Sequence, residues 1–141
     1  DWKPGRVTIT EGSGSSVPGH AYYDTDSVYW LSRIIYAESG NQPLDGKIAV
    51  GNVVLNRVAS PRFPNSVYEV IFQRNQFTPA ANGSINRTPS AESVVAAKLC
   101  LDGANTAGSA LYFVNPTVAP GSWASRNRPY VATIGAHAFY G

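Results

Sequence analysis

The 141-residue chain is short of charge, cysteine and histidine. Only 14% of its residues are charged, and 11 Lys and Arg against 9 Asp and Glu leave a formal net charge of +2. No block of Lys or Arg occurs. A dedicated nucleic-acid binder presents a clustered basic face, so nucleic acid is not an expected partner. A single cysteine, Cys100, excludes an internal disulfide. It falls in a helical run with nothing nearby to lower its pKa, so a small core residue is expected there and not a nucleophile. The two histidines, His20 and His137, stand far apart with no Cys or paired acids at ligand spacing. They make no zinc motif. HExxH, CxxC, calcium-loop and Gly-x-Ser-x-Gly patterns are missing too. No metal and no cofactor are therefore expected. No apolar run approaches the roughly 18 residues of a membrane span. The chain opens on Asp1, which predicts a processed form with its targeting segment out of view. The length suits one domain with its own core, expected as a monomer. Asn, Ser, Thr and Tyr take the place of charge, a composition suited to contact with a polar neutral polymer.

Residues 1–25 read as a tail or linker, with a short strand at 6–10 and a flexible Gly/Ser stretch at 11–16. The domain is predicted over 26–141. Asp24, Thr25 or Asp26 can cap a first helix ending near Gly40, which suits a C′ position. Pro43 suits the first turn of a second helix running to Val58. Its buried stripe is Leu44, Ile48, Gly51, Leu55 and Val58, bordered by Asn52 and Asn56, and Gly51 predicts a close helix contact. Ser66 and Glu69 form a capping box for a short helix over 67–72. Residues 73–88 lack a period and read as a long loop, of the kind that is usually functional. Thr88-Pro89 opens another helix, ending near Asp102. Strands are expected over 109–114, 131–134 and 136–140, and a loop over 118–129. Helices first and strands last predict an α+β fold, mainly helical with a small antiparallel sheet.

Glu38 is the one acid whose position needs a reason. Val28, Leu31, Ile34 and Ile35 share a helix face, and Glu38 projects onto it. Glu is almost never buried unless paired. The last helical turn also disfavours an anion. Desolvation and dipole both raise a carboxyl pKa, as a general acid working near neutrality requires. An ion pair with Arg, or a cap, is the structural alternative. The other acids have structural or peripheral places: Asp1 and Glu11 in the tail, Asp24 or Asp26 and Glu69 as caps, Asp45 and Glu92 in first helical turns, and Asp102 at a helix end. One acid/base candidate without a second is unlike the usual glycosidase pair. Aromatics and amides crowd the loops: Gln76, Phe77, Thr78, Tyr112, Phe113, Asn115, Trp123 and Tyr130. Sugars are held by such a mixture of rings and amides. Tyr112 and Phe113 straddle a strand, and Tyr112 is assigned to the cleft, Phe113 to the core.

Several segments together resemble a known family. Ile35-Tyr-Ala-Glu-Ser-Gly-Asn41, Gly46-Lys-Ile-Ala-Val-Gly-Asn-Val-Val-Leu-Asn-Arg-Val58 and Ser60-Pro-Arg-Phe-Pro-Asn65 are similar to the spore cortex-lytic enzymes and related cell-wall hydrolases. So are Val70-Ile-Phe-Gln73, Gln76-Phe-Thr78, Ala110-Leu-Tyr-Phe-Val-Asn-Pro116 and Ile134-Gly-Ala-His-Ala-Phe139. The resemblance covers residues 27–140, in the family's order and spacing. It implies a lysozyme- and lytic-transglycosylase-like fold and an extracytoplasmic enzyme, secreted to the cell wall or spore cortex, acting on peptidoglycan glycan strands. Glu38 matches the family's catalytic glutamate. Asn41, Gln76, Phe77, Thr78, Tyr112, Asn115, Trp123 and His137 are the candidate substrate-binding residues. The chain departs from the pattern at its end, Ala138-Phe-Tyr-Gly141, where a cysteine is expected. Rival readings are an inverting hydrolase using Asp45 as base, an inactive peptidoglycan-binding module and, more remotely, an amidase.

Overall fold

The computed structural model describes residues 25–141, together with the backbone of two short paired segments, Ile9–Thr10 (β1) and Ser16–Val17 (β2). These two run antiparallel. The rest of the predicted strand and linker, His20 and the possible cap Asp24 lie outside the described residues. From Thr25 the order is α1 (Thr25–Ser39), α2 (Leu44–Ala59), α3 (Val67–Ile71), α4 (Thr78–Asn82), a single 3-10 turn (Ser84–Asn86), α5 (Ala91–Leu101), β3 (Tyr112–Val114), α6 (Trp123–Asn127), β4 (Tyr130–Ile134) and β5 (His137–Tyr140). The chain is α+β, as its element order predicts.

The core is the mutual packing of α1, α2 and α5, closed by α3 and by one face of the sheet. Leu31, Ile34, Ile35, Val50, Val53, Val54, Val70, Ile71, Leu101 and Phe139 have no exposed surface. Helix α2 lies at the centre. Every residue from Gly46 to Val54 is buried, while Leu44 and Leu55 are only partly so. The single stripe expected of it is therefore too narrow: a helix packed on several sides buries more than one face. Gly51 does mark a close approach. A Cβ there would lie 2.6 Å from Cys100 Sγ on α5 and 3.0 Å from Ile35 Cδ1 on α1. The Cys100 thiol donates to the Ile48 carbonyl at 3.3 Å, and burial pushes its pKa up.

Boundaries differ from expectation where short polar residues compete. Pro43 is the N-cap of α2, one residue outside the helix. Ser90, not Thr88, caps α5 by accepting from Ser93 N–H at 3.1 Å. Ser66 caps α3 as predicted, accepting from Glu69 N–H at 3.1 Å. The loop expected over 73–88 holds α4 and the 3-10 turn, and that over 118–129 holds α6, capped by Ser122. Helices of five residues are too short to show a hydrophobic period. Gly40 adopts no left-handed backbone. It is glycine because a Cβ would sit 2.6 Å from the Tyr36 carbonyl.

β3, β5 and β4 form an antiparallel sheet in that order. Phe113 pairs with Phe139, and Ile134 with His137. Gly135, at φ +58°, makes the tight turn between β4 and β5. Two asparagines of α2 fasten the α5–β3 connection. Asn52 Nδ2 donates to Ala104 O at 2.8 Å, and Asn56 Nδ2 donates to Ala110 O at 2.9 Å. That anchorage sets where β3 begins, and so where its residues face.

Candidate active site

Glu38 stands in the last turn of α1, between two cavities. The smaller, about 310 Å³, is lined by Arg57 from the end of α2, Gln76–Thr78 at the start of α4, Phe113 to Asn115 at the end of β3, and His137. The larger, about 590 Å³, lies toward Asn41, Gln42, Ser84 and Arg87. Glu38, Asn115 and His137 line both, so the cavities form one cleft with the carboxyl at its waist. Among the described residues Glu38 is the only acid lining either one. No ion pair or hydrogen bond among the described residues reaches its carboxyl. Burial alone raises its pKa from the usual 4.5 to about 7. Desolvation favours the neutral form.

His137 opens β5 beside Glu38 and is 6% exposed. Its ring packs edge-on against Phe113 at 5.3 Å. Its Nδ1 is buried without a partner, and burial lowers its pKa, so the imidazole stays neutral at neutral pH. Asn115 folds the following chain back. Its Oδ1 accepts from Thr117 N–H at 3.0 Å and Val118 N–H at 3.3 Å, which leaves its amide NH2 for the cleft.

Of the residues singled out in the sequence, Glu38, Asn41, Gln76, Phe77, Thr78, Asn115 and His137 come together at the cleft. Phe77 contributes from a nearly buried position, 5% exposed. Tyr112 and Trp123 line neither cavity. The expectation for Tyr112 is corrected: Phe113, packed against the core as expected, also lines Glu38's cavity, and Tyr112 does not. Tyr112 packs edge-on against Trp123 at 5.6 Å and Phe63 at 6.3 Å. The reason is register, since Phe113 is opposite Phe139 and shares its face with His137. Phe113 also packs on Phe139 at 6.0 Å, so it serves both core and cleft. Asp45, the possible second acid, is exposed in the first turn of α2 and lines neither cavity.

Arg57, not among the candidates above, also lines the smaller cavity. It is 4% exposed, donates to Leu111 O at 2.8 Å and to Gln76 Oε1 at 3.0 Å, and lies against Phe63, Phe77 and Tyr112. Burial lowers its pKa to about 10. Its signal was available, because Arg57 follows Val50 and Val54 at helical spacing, as Glu38 follows Leu31 and Ile34. Among the described residues no group of three metal-ligating side chains occurs. No helix there is long and apolar enough to cross a membrane.

A helical domain with a short sheet and one desolvated carboxyl between two sub-cavities defines a class, and comparison with known proteins agrees. Residues 41–140 match the cell wall hydrolase family, to which this chain belongs. The match opens just beyond Glu38. Among individual proteins, the chain is similar to the spore cortex-lytic enzyme of Bacillus cereus, 36% identical over 92% of this chain and 49% of that protein. It is similar to the spore cortex-lytic enzyme of Bacillus subtilis, 32% identical over 96% of this chain and 44% of that protein. The chain thus spans about half the length of the curated relatives it matches. The catalytic domain of the germination-specific lytic transglycosylase SleB from Bacillus anthracis superposes with a TM-score of 0.78 at 37% identity, over 84% of this chain and 97% of that one. The catalytic domain of Bacillus cereus SleB gives 0.77 at 36% identity, over 84% and 91%. The fold is that of these catalytic domains.

Proposed function

We propose that this chain is the catalytic part of a lytic transglycosylase acting outside the cytoplasm on peptidoglycan glycan strands of spore cortex or cell wall. The observation that carries the reading is the solitary carboxyl. Glu38 lines both halves of the cleft, has a pKa of about 7 and, among the described residues, shares the cleft with no second acid. The two cavities would hold sugar on either side of the bond to be cut. Protonated Glu38 delivers its proton to the glycosidic oxygen between N-acetylmuramic acid, or its lactam, and N-acetylglucosamine. The C1–O bond breaks, and the muramyl ring becomes oxocarbenium-like. Glu38, now a carboxylate, removes the proton of the muramyl 6-hydroxyl as that oxygen bonds to C1. A 1,6-anhydro end results, and the glutamate is again protonated. Neutral His137 and the Asn115 amide contribute polar contacts without a competing charge. An inverting hydrolase needs its second carboxyl about 6.5–9.5 Å from the first, and among the described residues no second carboxylate lines the cleft.

Digestion in ¹⁸O-labelled water tests the reaction. Anhydro ends without label are expected. One ¹⁸O at each new end would make water the nucleophile and overturn the transglycosylase reading in favour of hydrolysis.

A further inference from the structure

The walls flanking Glu38 come from distant parts of the chain, and one side chain joins them. Gln42 follows the turn that ends α1. Its Oε1 accepts from the backbone N–H of Ala136, 94 residues away, at 2.9 Å. Ala136 lies in the hairpin turn immediately before His137. Gln42 Nε2 donates to Asn41 Oδ1 at 3.0 Å. The backbone of Gln42 is held from behind, where buried Lys47 donates to its carbonyl at 2.5 Å and to Glu92 at 2.6 Å. A Cβ on Gly135 would collide with Gln42 Oε1. Hairpin turn and glutamine are therefore fitted against one another.

This arrangement also fixes the direction of the hydrogen bonds. A backbone N–H can only donate, so the Gln42 atom facing Ala136 is the carbonyl oxygen and the atom facing Asn41 is the NH2. Asn41 must then turn its oxygen toward Gln42. Its own NH2 has no partner among the described residues, and the residue is exposed and lines the larger cavity. A locked NH2 selects an acceptor, and the amide carbonyl is the strongest neutral acceptor that an N-acetyl sugar carries. A sugar hydroxyl donates as well as accepts and would tolerate either orientation.

We infer that Gln42 is a positioning residue that holds the His137 hairpin against the Glu38 turn and fixes Asn41 as a hydrogen-bond donor to the acetamido carbonyl of an N-acetyl sugar. The inference rests on reading the cleft as a glycan site. Two variants separate its parts. Gln42→Glu keeps an acceptor for Ala136 but repels the Asn41 oxygen and turns that amide round. Gln42→Met keeps the bulk and loses both bonds.

Binding of N-acetylated and chemically N-deacetylated glycan oligosaccharides is measured in a Glu38→Gln background, so the result does not depend on turnover. The Gln42→Glu change should lower the preference for the acetylated ligand about tenfold, the scale of one hydrogen bond made and lost, with unchanged Tm. The His137 imidazole proton signal, assigned with His20→Asn, should stay in place in Gln42→Glu and shift in Gln42→Met. An unchanged preference in Gln42→Glu overturns the donor assignment. An unmoved His137 signal in Gln42→Met, with only Tm lowered, overturns the positioning role. If the wild-type chain cuts no glycan, the proposed reaction fails, while both readouts still decide this inference.

Discussion

Asn52 and Glu38 are both polar groups on helix faces that otherwise bury apolar side chains, and their surroundings treat them oppositely. Asn52 uses both ends of its amide. Its oxygen accepts from Thr106 N–H at 2.8 Å and Ala107 N–H at 3.3 Å, and its nitrogen donates to Ala104 O at 2.8 Å. Glu38 has none of this, and the nearby His137 Nδ1 is also without a partner. Satisfied polar groups in a core fix a fold, and unsatisfied ones store a cost that a ligand can relieve. The connection that Asn52 holds leads into β3, so the satisfied site positions one wall of the unsatisfied one.

The strongest way to break this contrast is Glu38→Gln. General acid–base catalysis contributes about 10²–10⁴-fold, and glycan cleavage should fall by that order while the fold persists. Activity within a few-fold of wild type would end the assignment. Stability should move the other way. The folded-state pKa of about 7 lies above the ordinary 4.5. Between those values the folded form binds more protons than the unfolded one, so stability falls as pH rises through that window. The variant should be more stable than wild type above pH 7, by up to about 3 kcal/mol, and gain nothing below pH 4.5. Denaturant titrations at pH 4 and pH 8 check the sign. Wild-type cleavage should decline above about pH 7, as the acid form is lost.

Asn52→Ala should do the reverse. It orphans the partly buried Ala104 carbonyl and Thr106 N–H, at about 1–3 kcal/mol for each group. Destabilisation of about 3 kcal/mol, with the pH dependence of cleavage unchanged, is expected from urea melts and rate profiles.

Phe113 and Tyr112 sharpen the comparison along one strand. Phe113→Ala should cost about 2 kcal/mol, below the 3–5 of a fully buried ring, and should also reduce cleavage, because this ring lines the cleft. Tyr112→Phe should change stability by under about 1 kcal/mol and leave cleavage within a few-fold. The opposite pattern would place the tyrosine at the substrate. The smallest effect belongs to Asp45→Asn, exposed and outside both cavities. Unaltered cleavage is expected, and a loss like that of Glu38→Gln would restore a two-acid mechanism.

Glu38 was legible in the sequence because a helix repeats every 3.6 residues, and a carboxyl on the apolar side stands out at once. The helical core and the hairpin around Gly135 were legible for similar local reasons. The Tyr112–Phe113 pair was half legible. Alternation places the two on opposite faces, but only the pairing of β3 with β5 decides which face meets Glu38. α4 and α6 were hidden by their length. Thr88 and Ser90 are both residue types that cap helices, and it is Ser90 whose hydroxyl accepts from Ser93 N–H. Arg57 obeys the same helical spacing as Glu38, and an arginine near a helix end also has an easy electrostatic explanation, which masks the signal. Gln42 has no local signal, since its partner is 94 residues away.

The crossing of α2 and α5 at Gly51 has a practical consequence. The chain's one thiol is sealed there, with no exposed surface. While the domain is closed, a thiol reagent finds no target, so a cysteine placed on the cleft rim would take a fluorescent label alone. Left unlabelled, Cys100 becomes a clock: it reacts only when the two helices part, and the rate of labelling reports how often the molecule opens.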